Sequence, residues 1–122
     1  MIDQYTSQNA NAWNEIAEIR HKRTRPASFY AEGSTTLDKR LIDTAGNLDG
    51  KSVLQCQCST GEETISWAIH GARATGVDIS ARQIDLANKK AQEAGVAVSF
   101  QVADVCNLPD ELASGKFDFV HT

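Results

Sequence analysis

The stretch VLQCQCSTGEET, Val53 to Thr64, has the outline of a strand entering a loop and then a helix. Ser52 to Cys56 reads as the strand, and Ile65, Ala68 and Ile69 recur at helical spacing beyond the loop. Thr60-Gly61-Glu62-Glu63 has the spacing of a capping box, in which the Thr60 hydroxyl and the Glu63 carboxylate are predicted to satisfy orphan amides at the helix start. Gly71 is its stop.

The same alternation continues toward the C-terminus. Arg73 to Asp78 reads as a second strand, and Ser80 to Gln83 as a second capping box. A helix follows with Ile84, Ala87, Ala91 and Ala94 on its inner face, ending at Gly95. Val96, Val98, Phe100 and Val102 alternate as a third strand, Leu108 to Ser114 is a short turn of helix or a loop, and Phe117 to Val120 is a fourth strand. Strands alternating with helices through short connections predict an α/β fold, a Rossmann-like parallel sheet in the order 3-2-1-4 with helices on both faces. The topological switch then lies beside the first strand, which puts the QCQCSTG loop at the ligand crevice.

Toward the N-terminus the pattern is purely helical. Ala12, Trp13, Ile16, Ala17 and Ile19 fall at helical spacing between Asn9 and Arg23, and Pro26 ends that helix. ASFYAEGSTT reads as loop, and Thr35 or Thr36 is the predicted cap of a second helix with Leu37, Leu41 and Ile42, closed by Gly46. Asp49-Gly50 is a turn signal before the sheet begins. The chain thus divides into a helical segment, residues 1–48, and a sheet-forming part, residues 49–122.

At 122 residues, with 41% hydrophobic and 23% charged, the chain has the composition of one ordinary globular domain. Its net charge of -4 lacks the basic face of a nucleic-acid binder, and the one basic cluster, RHKRTR from Arg20 to Arg25, reads as a solvated helix end. There is no cleavage signature and no apolar run long enough to cross a bilayer, so no membrane partner and a cytoplasmic location are expected. The three cysteines, Cys56, Cys58 and Cys106, fit reduced thiols, and no metal site is expected because no histidine accompanies the Cys56–Cys58 pair.

The loop's chemistry narrows the ligand. A dinucleotide fingerprint would need glycines at Gln57, Ser59 and Glu62, and a Walker loop would need a lysine where none occurs between Lys51 and Lys89. Two acids, Glu62 and Glu63, at the helix start oppose a phosphate and favour a neutral or zwitterionic ligand.

In the register G-x-G-x-G the last glycine coincides with Gly61, and here the sequence resembles class I S-adenosylmethionine-dependent methyltransferases. Cys58, Thr60 and Gly61 match the usual loop, while Gln55 stands for its acid and Gln57 and Ser59 for two of its glycines. GEETISWA is similar to a small-molecule branch with a Leu-Gln-Cys loop. ATGVDIS resembles the family's second motif, which implies Asp78 on the ribose hydroxyls of the cofactor and Ile79 on its adenine. FQVADV resembles the third, implying Asp104 at the adenine amino group and Val105 on the ring, and FDFVHT resembles the fourth, on the methyl-transfer side. AWNEIAEIRH and SFYAEG are similar to that branch's N-terminal segment, which folds over the cofactor as a lid and brings Trp13 near it.

The resemblance implies methyl transfer from S-adenosylmethionine to a small molecule, leaving S-adenosylhomocysteine. Taken singly, Asp78 and Asp104 serve equally well as caps of the elements that follow, and Trp13 as packing. His121, at the end of the fourth strand, is the candidate base, with an ordinary polar strand end as its alternative. A non-catalytic assembly module of the same fold that binds the cofactor weakly or not at all is the competing reading, suggested by Gln57 and Ser59 in place of glycines and by the shortened sheet. Two further expectations concern geometry. Neither Gln57 nor Ser59 is expected to adopt a left-handed backbone. The family fold has seven strands where four are legible here, so a bare fourth-strand edge and a homodimer covering it are expected.

Overall fold

The computed structural model describes residues 4–122, which form a four-stranded parallel sheet in the order β3-β2-β1-β4. In chain order the elements are α1 (Gln4–Arg23), α2 (Ala27–Ala31), α3 (Lys39–Ala45), β1 (Ser52–Cys56), α4 (Glu62–Ile69), β2 (Arg73–Asp78), α5 (Ala81–Ala94), β3 (Ser99–Val102), α6 (Asp110–Ala113) and β4 (Phe119–His121). The predicted strand order is the observed one.

β1 is the central strand, and its side chains are divided between two layers. Val53 pairs in register with Ala74 on β2 and Phe119 on β4, and packs with Leu37, Leu48 and Trp67 on one face. Leu54, one residue on, faces the opposite layer with Val77, Ala103 and Leu112. This is the two-residue period of a strand covered on both sides. A third cluster, Tyr30, Ile65 and Ala91, joins α2, α4 and α5.

Local chemistry departs from the sequence expectations at several places, and β3 (Ser99–Val102) and β4 (Phe119–His121) are shorter than the expected 96–102 and 117–120. ASFYAEGSTT is not all loop: after Pro26 it forms α2, because burying Tyr30 and Phe29 against α5 and α4 stabilises a turn of helix that isolated propensity would not. The helix near Leu37 is capped by Asp38, whose carboxylate accepts from the Arg40 amide at 2.8 Å, and not by Thr35 or Thr36. Both threonines are drawn to α4 instead, Thr36 through its amide to Ser66 Oγ at 3.0 Å and Thr35 to His70 Nε2 at 2.9 Å.

The third departure is at α4. Its cap position is Gly61, in the left-handed region at φ 89°, with no side-chain cap. The predicted box fails because the Thr60 hydroxyl donates to the Glu62 carboxylate, which Lys90 pulls inward, while Glu63 turns toward His121. At α5 half of the second box is made: Ser80 Oγ accepts from the Gln83 amide at 3.1 Å, but Gln83 Oε1 is buried without a partner.

Candidate functional site

The loop between β1 and α4 has to reverse direction within a few residues while its amides are claimed by the neighbouring strand. The Cys58 amide donates to the Val77 carbonyl at 2.9 Å, and the Ser59 amide to Asp78 Oδ2 at 2.9 Å. Holding both peptide planes toward β2 puts Gln57 at φ 55° and Ser59 at φ 52°, both left-handed. The expectation that neither residue would need this conformation is therefore wrong. The two positions occupied by glycine in the family's loop keep the glycine geometry here, at a cost of order 1–2 kcal/mol per non-glycine residue. Gly61 itself is indispensable for a second reason. A Cβ there would come within 2.7 Å of Phe100 Cζ and 2.9 Å of Ala87 Cβ, so the loop enters the helix in contact with β3 and α5.

Asp78 ends β2 and is buried. Its Oδ2 takes the Ser59 amide and its Oδ1 the Ser80 amide, each at 2.9 Å, so the carboxylate couples the loop to the start of α5. Each oxygen has a second lone-pair site for a hydroxyl donor. Asp78 lines a cavity of about 450 Å³ together with Ile79, Asp104, Val105, Trp13 and Gln83. Gln57 and Ser59 lie on its rim. Asp104 Oδ1 also accepts from the Cys106 amide at 2.9 Å, the capping role weighed for it in sequence. Trp13 is 40% exposed and lies under the Arg20 guanidinium, 5.4 Å from its ring centroid.

A second cavity, of about 720 Å³, opens on the other side of the loop, and Gln57 and Ser59 line it too. Its floor includes His121, Gln55, Glu63 and Cys58. Cys58 is buried, and that burial raises its thiol well above the ordinary range, so it is a packing group and not a nucleophile. His121 Nδ1 lies 2.8 Å from Gln55 Oε1, 3.2 Å from Trp67 Nε1 and 3.4 Å from Glu63 Oε2. The Trp67 ring meets the imidazole edge-on. The structure places the sequence-predicted site residues on two cavities that share Gln57 and Ser59: Trp13, Asp78, Ile79, Asp104 and Val105 line one, Cys58 and His121 the other, and Gly61 lines neither.

Sequence reasoning missed the groups around His121, and it missed a buried ion pair beneath the loop. Lys90 Nζ, on a side chain 1% exposed, donates to Glu62 Oε1 and to Thr24 Oγ1, each at 2.8 Å. Burial by itself would raise the Glu62 carboxyl, but Lys90 and the Thr60 hydroxyl outweigh it and hold the group below its usual value. The signals were present: Lys90 follows Ala87 by one helical turn on the inner stripe of α5, and Gln55 interrupts an apolar strand. Among the described residues no group of three or more His, Cys, Asp or Glu side chains has the arrangement of a metal site.

A methyltransferase domain family model matches residues 53–122, more than half of the chain, including the loop after β1 and the strand ends just described, while the cavity residues supplied by α1 and α2 lie outside it. The chain belongs to this family. A ubiquinone biosynthesis O-methyltransferase of Bordetella bronchiseptica is 36% identical over 80 residues, 66% of this chain and 33% of that protein. A magnesium-protoporphyrin O-methyltransferase of Rhodobacter capsulatus is 30% identical over 122 residues, covering 98% of this chain and 53% of that protein. The crystal structure of magnesium protoporphyrin IX methyltransferase from Synechocystis PCC 6803, with bound S-adenosylhomocysteine, superposes with a TM-score of 0.66 at 24% identity, over 93% of this chain and 56% of that one. The chain spans about a third to a half of the length of these relatives. The sheet order and the loop at the switch point are thus those of a family fold.

Proposed function

We propose that the two cavities together bind S-adenosylmethionine, and that the protein transfers its methyl group to a small-molecule acceptor. The observation that carries this reading is the pair of cavities that meet at the left-handed Gln57–Ser59 turn, one lined by Asp78 and the other by His121. The residues fit the cofactor. A carboxylate with free lone pairs at a strand end suits a vicinal diol. Ile79 and Val105 offer apolar faces to a purine, and Asp104 an acceptor to its amino group.

When bound, the cofactor supplies an electrophilic methyl group on a sulfonium whose charge vanishes on transfer. The protein then has only to align the acceptor, exclude water and, for a hydroxyl acceptor, remove a proton. His121 is assigned that last task. Two of its Nδ1 neighbours, Gln55 Oε1 and the Glu63 carboxylate, accept protons, and Trp67 alone donates. A proton held on Nδ1 and given to Gln55 or Glu63 leaves Nε2 bare for the acceptor, in a tautomer that gives up the Trp67 Nε1 bond to Nδ1. The O-methyltransferases among the relatives favour an oxygen nucleophile. Residues 49–122 would hold the cofactor and residues 1–48 close over it as a lid, α1 reaching Ser59 through Arg20.

Titration calorimetry with S-adenosylhomocysteine tests the reading. Binding is expected, and Asp78→Asn should weaken it by about 1 to 3 kcal/mol, the scale of a lost charge-assisted hydrogen bond. A folded protein that binds neither S-adenosylmethionine nor S-adenosylhomocysteine would favour the second reading, a non-catalytic module of the same fold. The strain at Gln57 and Ser59 is the observation behind that alternative.

Two coarser proposals accompany it. The free cysteines and a longest helix too polar to cross a membrane, among the described residues, are consistent with a cytoplasmic protein. β4 pairs only with β1 and leaves Val120 66% exposed, so the 122-residue chain should form a two-fold dimer over that edge. Sedimentation equilibrium at micromolar concentration showing a monomer would remove the dimer.

A further inference from the structure

One nitrogen of His121 has three claimants. β4 sets the imidazole beside Gln55, its register partner on β1, and Gln55 Oε1 stands 2.8 Å from Nδ1. α4 supplies the other two from one face, a helical turn apart: Glu63 Oε2 at 3.4 Å and Trp67 Nε1 at 3.2 Å. Nε2 makes no hydrogen bond among the described residues, and the imidazole lines the larger cavity.

The three claims are incompatible. A neutral imidazole carries its proton on one nitrogen only, so Nδ1 either donates or accepts. Gln55 suits both cases, because a carboxamide offers an acceptor oxygen or, turned end for end, a donor nitrogen. Trp67 can only donate, and its buried indole N–H has no other partner among the described residues. An ionised Glu63 can only accept. The tautomer is therefore contested by two residues of one helix. If Trp67 prevails, the proton sits on Nε2, which is then a donor; if Glu63 prevails, Nε2 is bare and is a base. The Glu63 contact is long, but hydrogen bonds to an ionised group are roughly twice as strong as neutral ones, and this favours the carboxylate.

We propose that Glu63 is the positioning residue of His121, drawing the proton to Nδ1 against Trp67 so that Nε2 stays a base. The proposal rests on the methyltransferase reading for the use of that base. When a hydroxyl acceptor is methylated, its oxygen forms the new bond to carbon as the carbon–sulfur bond breaks, and its proton passes to Nε2. The imidazole then bears the positive charge that the sulfonium has lost, and Glu63 is the carboxylate placed to meet it. Glu62, next in the chain, is already paired with Lys90.

Imidazole nitrogen NMR of the full chain at about pH 8.5, where a free imidazole is neutral, reads the tautomer directly, with His121→Asn assigning the signals. The wild type should carry its proton mainly on Nδ1. Glu63→Ala should shift the tautomer ratio toward Nε2–H by about threefold or more, and Trp67→Phe should shift it the other way. The opposite signs matter, because a displaced α4 would take both side chains from the ring and move the ratio in one direction. Trp67 belongs to the core while Glu63 is half exposed, so Glu63→Ala decides alone if Trp67→Phe does not fold. Diethyl pyrocarbonate, which acylates a bare ring nitrogen, gives a second readout. His121 should react about threefold or more slowly in Glu63→Ala, with His70, bonded to Thr35, as the internal control. A wild type with its proton on Nε2, or a ratio and a reactivity that Glu63→Ala leaves unchanged, would overturn the proposal. Neither measurement uses a cofactor. If calorimetry shows no binding of S-adenosylhomocysteine, methyl transfer falls by itself, and the same spectra still decide whether Glu63 sets the tautomer.

Discussion

The two long helices, α1 and α5, lie against each other and are held in opposite ways. Of the 20 residues of α1 only Ala17 is buried, whereas the 14 of α5 bury Gln83, Ile84, Leu86, Ala87, Lys90 and Ala91. α5 is fixed by apolar contact with the sheet and by the close approach of Ala87 to Gly61. α1 is fixed by polar ties that α5 and its cap extend to it. Ser80 Oγ donates to Asn14 Oδ1 at 2.6 Å, Arg82 pairs with Glu18, and Lys90 reaches Thr24. Meanwhile Ile16 and Ile19 of α1 are 40% and 55% exposed. Burial makes α5 the rigid floor of the site. A helix held by a few directional bonds opens locally at much lower cost, which suits the segment that carries Trp13 and Arg20 to the two cavities.

Lys90 is where the two regimes meet, so removing it should produce the largest effect. Lys90→Met leaves the Glu62 carboxylate buried without its counter-charge, and equilibrium urea unfolding should show a loss of about 3 to 5 kcal/mol. Lys90→Met combined with Glu62→Gln should recover most of it, since no buried charge is then left alone. A loss below about 1 kcal/mol in the single variant would mean that the pair is solvated, and that α1 and α5 are not distinguished in the way described.

The pH dependence of the same pair is the next effect in size. The Glu62 carboxyl sits below its ordinary value of 4.5 in the folded protein, with burial opposing and Lys90 prevailing. Its stabilising contribution is therefore complete above about 4.5 and is lost as the pH falls through the lower folded value. Without Lys90 burial prevails and the sign reverses, so acid should relieve the variant where it weakens the wild type. Asp38 and Asp118, held low by Arg40 and by the Ser52 amide respectively, contribute equally to both proteins and cancel in the difference. Parallel stability curves from pH 7 to pH 3 would contradict the assignment.

The smallest effect should come from the exposed face of α1. Ile19→Ser replaces an apolar side chain that is more than half exposed, and should change stability by no more than about 0.5 kcal/mol in the same unfolding assay. A loss above 1 kcal/mol would show that the face is covered in solution and would place α1 in the same class as α5.

The contrast also marks how far the sequence could be read. The periodic stripe of α5, the alternation of strands and the loop at the switch point were legible, because each is a local pattern with one stable way to be buried. Ile79, Asp104 and Val105 were singled out by resemblance to the family's motifs, and Asp78 also by its place at a strand end, which in this topology faces the crevice. α2 was read as loop because its five residues become helical only by burying Tyr30 and Phe29 against neighbours distant in sequence. The cap at Thr60 was misread because the Glu62 carboxylate answers to a lysine 28 positions away.

The sequence by itself determined the order of strands and helices, the chain reversal at QCQCSTG and the acids at the strand ends, since all of these follow from periodicity, turn chemistry and handed crossovers. Tertiary structure alone decided what the polar side chains do. Gln57 and Ser59 are left-handed because the carbonyl of Val77 and the carboxylate of Asp78 claim the amides beside them. Glu62 is ionised in the interior because Lys90 is there. Hydrogen bonds and charges act between whichever groups the fold brings within 3 Å of each other, and that distance is not written in any local stretch of the chain.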